Sequence, residues 1–95
     1  MSDIKTQLTE ELAPMEWETL IPHARRDALI VVDSALDLVE VGVAIAEDRA
    51  NSVQNWISEL LIRKPTAEEL TVWNKSPKRE FLTLIVQPFV LIRLS

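Results

Sequence analysis

His23, Arg25, Arg26 and Asp27 form the densest run of chemistry-bearing side chains in the sequence. An imidazole that titrates near neutrality, set beside two guanidinium groups, suits recognition of a small anionic metabolite with general acid/base chemistry. Glu40 is the carboxylate placed to join them. It stands in an apolar stretch, where an acid must be paired, solvated or at an interface. His23, Arg26 and Glu40 are therefore the candidate ligand-binding set. In the plainer reading, Arg26 pairs with Asp27 or Glu40, and His23 covers the end of a helix.

Other chemistries are excluded by residue type. The chain has one histidine and no cysteine, so a two-histidine metal site, a thiolate nucleophile and a Cys-ligated zinc or iron–sulfur centre cannot form within it. Gly42 is the sole glycine, which removes phosphate loops, dinucleotide fingerprints and the G-x-S-x-G nucleophile elbow. Asp33 and Asp37 lie in no Asp-x-Asp-x-Asp-Gly calcium loop and read as turn formers. No catalytic residue, metal or cofactor is expected. Ten basic against 15 acidic side chains give a net charge of −5, which opposes nucleic-acid binding. The acidity is N-terminal, with five acids against Lys5 over residues 1–24. Lys75, Lys78 and Arg79 make one local basic cluster, read as a solvated loop or a dock for an acidic segment.

The elements that would hold these residues follow from periodicity. With 95 residues, 47% of them hydrophobic, the chain is expected to form a single domain over residues 1–95. Ile4, Leu8 and Leu12 make a helical stripe that Pro14 should end. Trp17, Leu20, Ile21 and Ala24 mark a second helix beginning near Pro14, which either stops near Ile21 or passes kinked through Pro22 to His23 and Ala24. Ala28–Val32 reads as a strand, Asp33–Asp37 as a hairpin turn, and Leu38–Ala46 as a second strand. In that strand Val39, Val41, Val43 and Ile45 share one face. Leu38, Glu40, Gly42, Ala44 and Ala46 share the other.

From Asp48, taken as an N-cap, Val53, Trp56, Ile57, Leu60 and Leu61 predict an amphipathic helix ending at Arg63, Lys64 and Pro65. Thr66-Ala67-Glu68-Glu69 is a capping box for a shorter helix that buries Leu70 and Trp73 and ends before Ser76-Pro77. Trp17, Trp56 and Trp73 all fall on apolar stripes and read as core anchors. Phe81–Leu94 reads as one long strand, in which Pro88 demands an edge, a bulge or a break. The predicted fold is α+β: a small antiparallel or mixed sheet of about three strands with four helices, in the order α-α-β-β-α-α-β.

The first and last predicted strands are apolar on both sides, which is too much hydrophobic surface for one layer of helices. The cover is either the N-terminal helix of the same chain or a second copy, and a homodimer or a protein partner is the expected consequence, meeting a surface that contains Gly42, Ala44, Ile85, Gln87 and Phe89. The N-terminus lacks a secretion signal, and the Phe81–Leu94 run is too interrupted for a membrane helix, so a cytoplasmic, non-membrane protein is expected.

Three segments, Trp17–Ala24, Asp37–Ala46 and Ile85–Val90, resemble a bacterial family known only as domain of unknown function 2288, frequent in cyanobacteria and proteobacteria. The resemblance runs over nearly the whole chain. It implies a bacterial cytosolic origin and assigns no activity, while drawing attention to Trp17, His23, Glu40, Gln87 and Pro88. The leading expectation is a small non-enzymatic interaction or regulatory module acting as a homodimer. The alternative is an anionic-metabolite binder or enzyme built on His23, Arg26 and Glu40.

Overall fold

Ten elements organise residues 3–94, the part of the chain that the computed structural model describes. In chain order they are α1 (Ile4–Glu11), β1 (Ala13–Glu16), α2 (Trp17–Arg25), β2 (Leu29–Val32), α3 (Leu38–Ala46), α4 (Ala50–Ser58), β3 (Ile62–Arg63), α5 (Ala67–Asn74), β4 (Glu80–Val86) and β5 (Phe89–Arg93). All five strands join one mixed sheet in the order β1-β4-β5-β2-β3. The β2–β5 pair is parallel and the others are antiparallel. The fold is α+β, with five helices and five strands among the described residues rather than four and three.

Leu38–Ala46 is the main correction: it is helix α3, not a strand. The Asp37 carboxylate accepts the Val39 amide at 2.8 Å and caps the first turn. Leu38, Val39, Val41, Gly42 and Ala44 are all buried. A helix hydrophobic on most sides belongs in a core, and burial there overrides the β preference of its valines. Asp33–Asp37 does turn, with the Ala35 amide donating to the Asp33 carboxylate at 2.9 Å, but it leads into α3 instead of closing a hairpin. The second correction concerns Phe81–Leu94. Pro88 does break it, and Gln87 and Pro88, joined by a cis peptide bond, reverse the chain so that Val86 pairs with Phe89. Two short strands were not predicted. Both β1, which holds Pro14 in place of the start of α2 expected there, and the two-residue β3 lie at sheet edges, where a missing amide donor or a short ladder is tolerated. Pro22 sits inside α2, which continues through it.

The sheet separates two cores supplied by the same chain. On one face Val32, Ile62, Leu84, Val86 and Leu91 pack with Leu8 of α1 and with Leu38, Val39 and Val41 of α3. On the other, Leu29, Val31, Phe81, Val90 and Ile92 pack with Trp17 and Leu20 of α2 and Trp73 of α5. This overturns the premise of the expected dimer. Helices of the same chain pack on both oily faces, because α1 and the extra helix read as a strand cover most of the first. Gly42 and Ala44 are buried inside the protomer for the same reason and present no partner surface.

Thr66 caps α5 as predicted: its hydroxyl accepts the Glu69 amide at 3.1 Å, and the Glu69 carboxylate accepts the Thr66 amide at 3.0 Å. Arg63 on β3 also donates to both Glu69 oxygens, at 2.6 and 2.9 Å. The Arg63 guanidinium, aided by Thr66 and opposed by partial burial, holds the Glu69 carboxyl down to about 2. Its folded value lies below the unfolded one, so the stabilisation is complete above the ordinary glutamate range and is lost as pH falls from about 4.5 toward 2. Because the pair is partly wet, about 1–2 kcal/mol is expected. Urea unfolding of wild type and Glu69→Gln at pH 6 and pH 2.5 should therefore show the gap between them closing in acid. A gap independent of pH would refute this role.

Candidate functional site

An open groove of about 670 Å³ runs on the α3/α4 side of the sheet. Its floor is Ile30 of β2, Ile62 of β3 and Phe89 at the start of β5, and its walls are Ile45 of α3 with Val53 and Ile57 of α4. Leu60 lies at its mouth. Asp48, Arg49, Gln54, Arg63 and Lys64 complete the lining. The groove exists because α3 and α4 leave part of the sheet half-covered: Ile30, Ile45, Val53 and Phe89 are each half-buried, and Ile57 is 47% exposed.

Leu60 is the least expected residue of this site. Helices α2, α3 and α4 end alike, with a left-handed residue after the cap and a bond from the next amide back across five residues. In α4, the Leu60 amide donates to Ile57 and the Leu61 amide donates to Trp56. Glycine usually takes the left-handed position. Asp27 and Asp48 fill it after α2 and α3, and aspartate tolerates it. Leu60 adopts φ 60° with a bulky side chain that is 69% exposed. A strained backbone and an unburied hydrophobe at one residue, neither rewarded by internal packing, point to a use outside the fold.

The predicted ligand set is not assembled. His23 and Arg26 lie at the end of α2, on the aromatic side of the sheet, where the Arg26 guanidinium donates to His23 Nδ1 at 2.5 Å. Glu40 lies in the first turn of α3, on the opposite side, and lines a polar cleft with Lys5, Glu47 and Ser52 that shares Arg49 with the groove. The sheet stands between them. Among the predicted partner residues, Phe89 lines the groove, whereas Ile85 and Gln87 are exposed outside it. Two members of the basic cluster are engaged: Lys78 donates to Glu18 at 2.6 Å and lies 3.8 Å from Glu16, and the Arg79 guanidinium sits 4.9 Å over the Phe81 ring. Glu18, with Glu16 adding, raises the affinity of Lys78 for its proton. No group of three potential metal ligands occurs among the described residues.

Sequence reasoning missed the groove because it placed Leu60 and Leu61 on a continuing helix. The available signal for its α3 wall was Asp37-Leu38-Val39-Glu40, an N-cap with an acid three residues on, which marks Leu38–Ala46 as a helix.

A family model described as "Protein of unknown function (DUF2288)" matches residues 3–94. Among solved structures, the solution NMR structure of PA1075 from Pseudomonas aeruginosa is similar to this chain, with 33% identity and a TM-score of 0.80, covering 98% of this chain and 85% of that one. No curated protein matches. No helix among the described residues is long and apolar enough to cross a membrane.

Proposed function

Because the chain belongs to the DUF2288 family of proteins of unknown function, its role must be read from its own surface, and we propose that it is a non-catalytic binding module whose groove takes a hydrophobic molecule of small-ligand size. The observation that carries this is the groove itself, a largely apolar concavity whose volume falls within the range of about 300–1,000 Å³ typical of small-molecule sites. The bacterial cytoplasm is its setting in this proposal, in keeping with a chain that uses no cysteine.

A second copy of the chain fits the groove less well. A stable pair buries about 800 Å² and 20–30 residues on each side, more than the thirteen residues lining this groove. Two-fold pairing across it would also gather Arg49, Arg63 and Lys64 of both copies into one interface. The anionic-metabolite alternative has lost its motive, since Glu40 is remote from His23 and Arg26.

The test is fluorescence titration with the neutral probe N-phenyl-1-naphthylamine. Wild type should bind it, and Ile57→Glu, a change at an exposed position, should lose binding while keeping its stability within about 0.5 kcal/mol. Equal binding by both proteins would overturn the proposal. So would a dimer in sedimentation that Ile57→Glu dissolves, since the groove would then serve a second copy.

Leu60→Gly should separate folding from function. Relief of the left-handed leucine, offset by the greater freedom of glycine in the unfolded chain, should raise stability by about 0.5–1 kcal/mol. Probe affinity should fall. A variant that loses stability would show that Leu60 serves the fold instead.

A further inference from the structure

The rim of the groove narrows the class of molecule it takes. Arg49, Arg63 and Lys64 line it, and Asp48 is the one acid among the lining residues, in a protein whose net charge is −5. The three cations differ in availability. Arg63 is held by both oxygens of Glu69. Arg49 and Lys64 are 60% and 48% exposed, and their carboxylate partners, Glu47 at 2.5 Å and Asp27 at 3.1 Å, are themselves in solvent, as is the Asp27 carbonyl to which Lys64 also donates. Exposed pairs of this kind hold weakly and exchange readily, so either cation can turn to an incoming anion.

Resting on the groove reading, we infer that the ligand is a free aliphatic carboxylate, its chain lying along Ile30, Ile57, Leu60 and Phe89 and its head group met by Arg49 and Lys64. The two parts of the site answer to the two parts of such a molecule. A hydrocarbon alone would leave the basic rim unused, and a small anion alone would leave the apolar floor wet. The molecule is taken from solution rather than from a bilayer, because an acidic protein is repelled by an anionic membrane surface.

The test is calorimetric titration of the full chain with dodecanoate, dodecanol and acetate at moderate salt. Dodecanoate should bind about tenfold tighter than dodecanol, as one charge-assisted contact implies, and acetate should not bind measurably. The preference should shrink at high salt. It should nearly vanish in the Arg49→Gln/Lys64→Gln double variant, whose exposed substitutions leave the fold intact by far-ultraviolet circular dichroism. Equal binding of dodecanoate and dodecanol would overturn the carboxylate inference and leave the groove reading standing. Binding of neither would overturn both. Co-sedimentation with phosphatidylglycerol vesicles in place of monomer binding would overturn the assignment of a free ligand.

Discussion

Replacing Trp17 by alanine is expected to lower the unfolding free energy by about 3–5 kcal/mol, the cost of emptying a large aromatic site in a packed core. Trp17 is fully buried and meets two other rings edge-on, Trp73 at 5.1 Å and Phe81 at 6.2 Å between centroids. Trp73 and Phe81 are themselves 4.9 Å apart, so the three form one cluster joining α2, α5 and β4. The Trp17 indole also donates to Asn74 Oδ1 at 2.8 Å, and alanine would leave that amide without its partner. A domain of this size has only about 5–14 kcal/mol of stability in all. The variant should thus lose about a fifth of it or more, measured by urea unfolding. Trp17→Phe, which keeps a ring but not the donor, should lose distinctly less. A loss under 1 kcal/mol for alanine would mean that the aromatic core is not what fastens α2 and α5 to the sheet.

Gly42→Val is expected to cost about 3 kcal/mol, through crowding rather than loss of contact. A Cβ at this position would lie 2.6 Å from Leu84 Cδ2, 3.2 Å from Leu8 Cδ1 and 3.3 Å from Val86 Cγ2. Leu84 is fully buried on a central strand, so its methyl has nowhere to move without shifting neighbours. Two effects compete in Gly42→Ala. Alanine gains about 1 kcal/mol of helix propensity, and the forced shift of Leu84 costs about 1–3 kcal/mol, so the balance is small and unfavourable. Valine gains less as a helix former and drives further methyl groups toward Leu8 and Val86. Thermal unfolding should show a large drop for valine and a small one for alanine. Valine tolerated without loss would mean that α3 stands further from the sheet than described.

Local chemistry was legible wherever one residue type does one job. The Thr66–Glu69 box opens α5 and Pro88 interrupts the last apolar run, each for a reason confined to a few residues, and α1 stops at Glu11, just short of the Ala13 expected from Pro14. Reading failed where tertiary burial decides. Val39, Val41 and Val43 favour a strand in isolation, yet Leu8 and Leu84 stand where a small-faced helix can pack, and Gly42 permits that approach. That one inversion propagated. A helix taken for a strand left a sheet face apparently bare, and the bare face called for a second copy. The candidate polar site failed for a related reason, since Glu40 travels with α3 to the far side of the sheet from His23. The groove was legible in part. Phe89 was singled out for its face, but Leu60 owes its place to a left-handed backbone that no apolar stripe reveals.

The most direct test of the binding surface is a methyl-selective ¹H–¹³C spectrum of the protein titrated with dodecanol, which carries no charge and so reports on the groove alone. Leu82, Ile85 and Val72 are exposed hydrophobic residues elsewhere on the molecule and serve as internal controls. Perturbations confined to Ile30, Ile45, Val53, Ile57, Leu60 and Ile62 are the predicted result. Shifts centred on the control residues, or none at saturating alcohol, would contradict it.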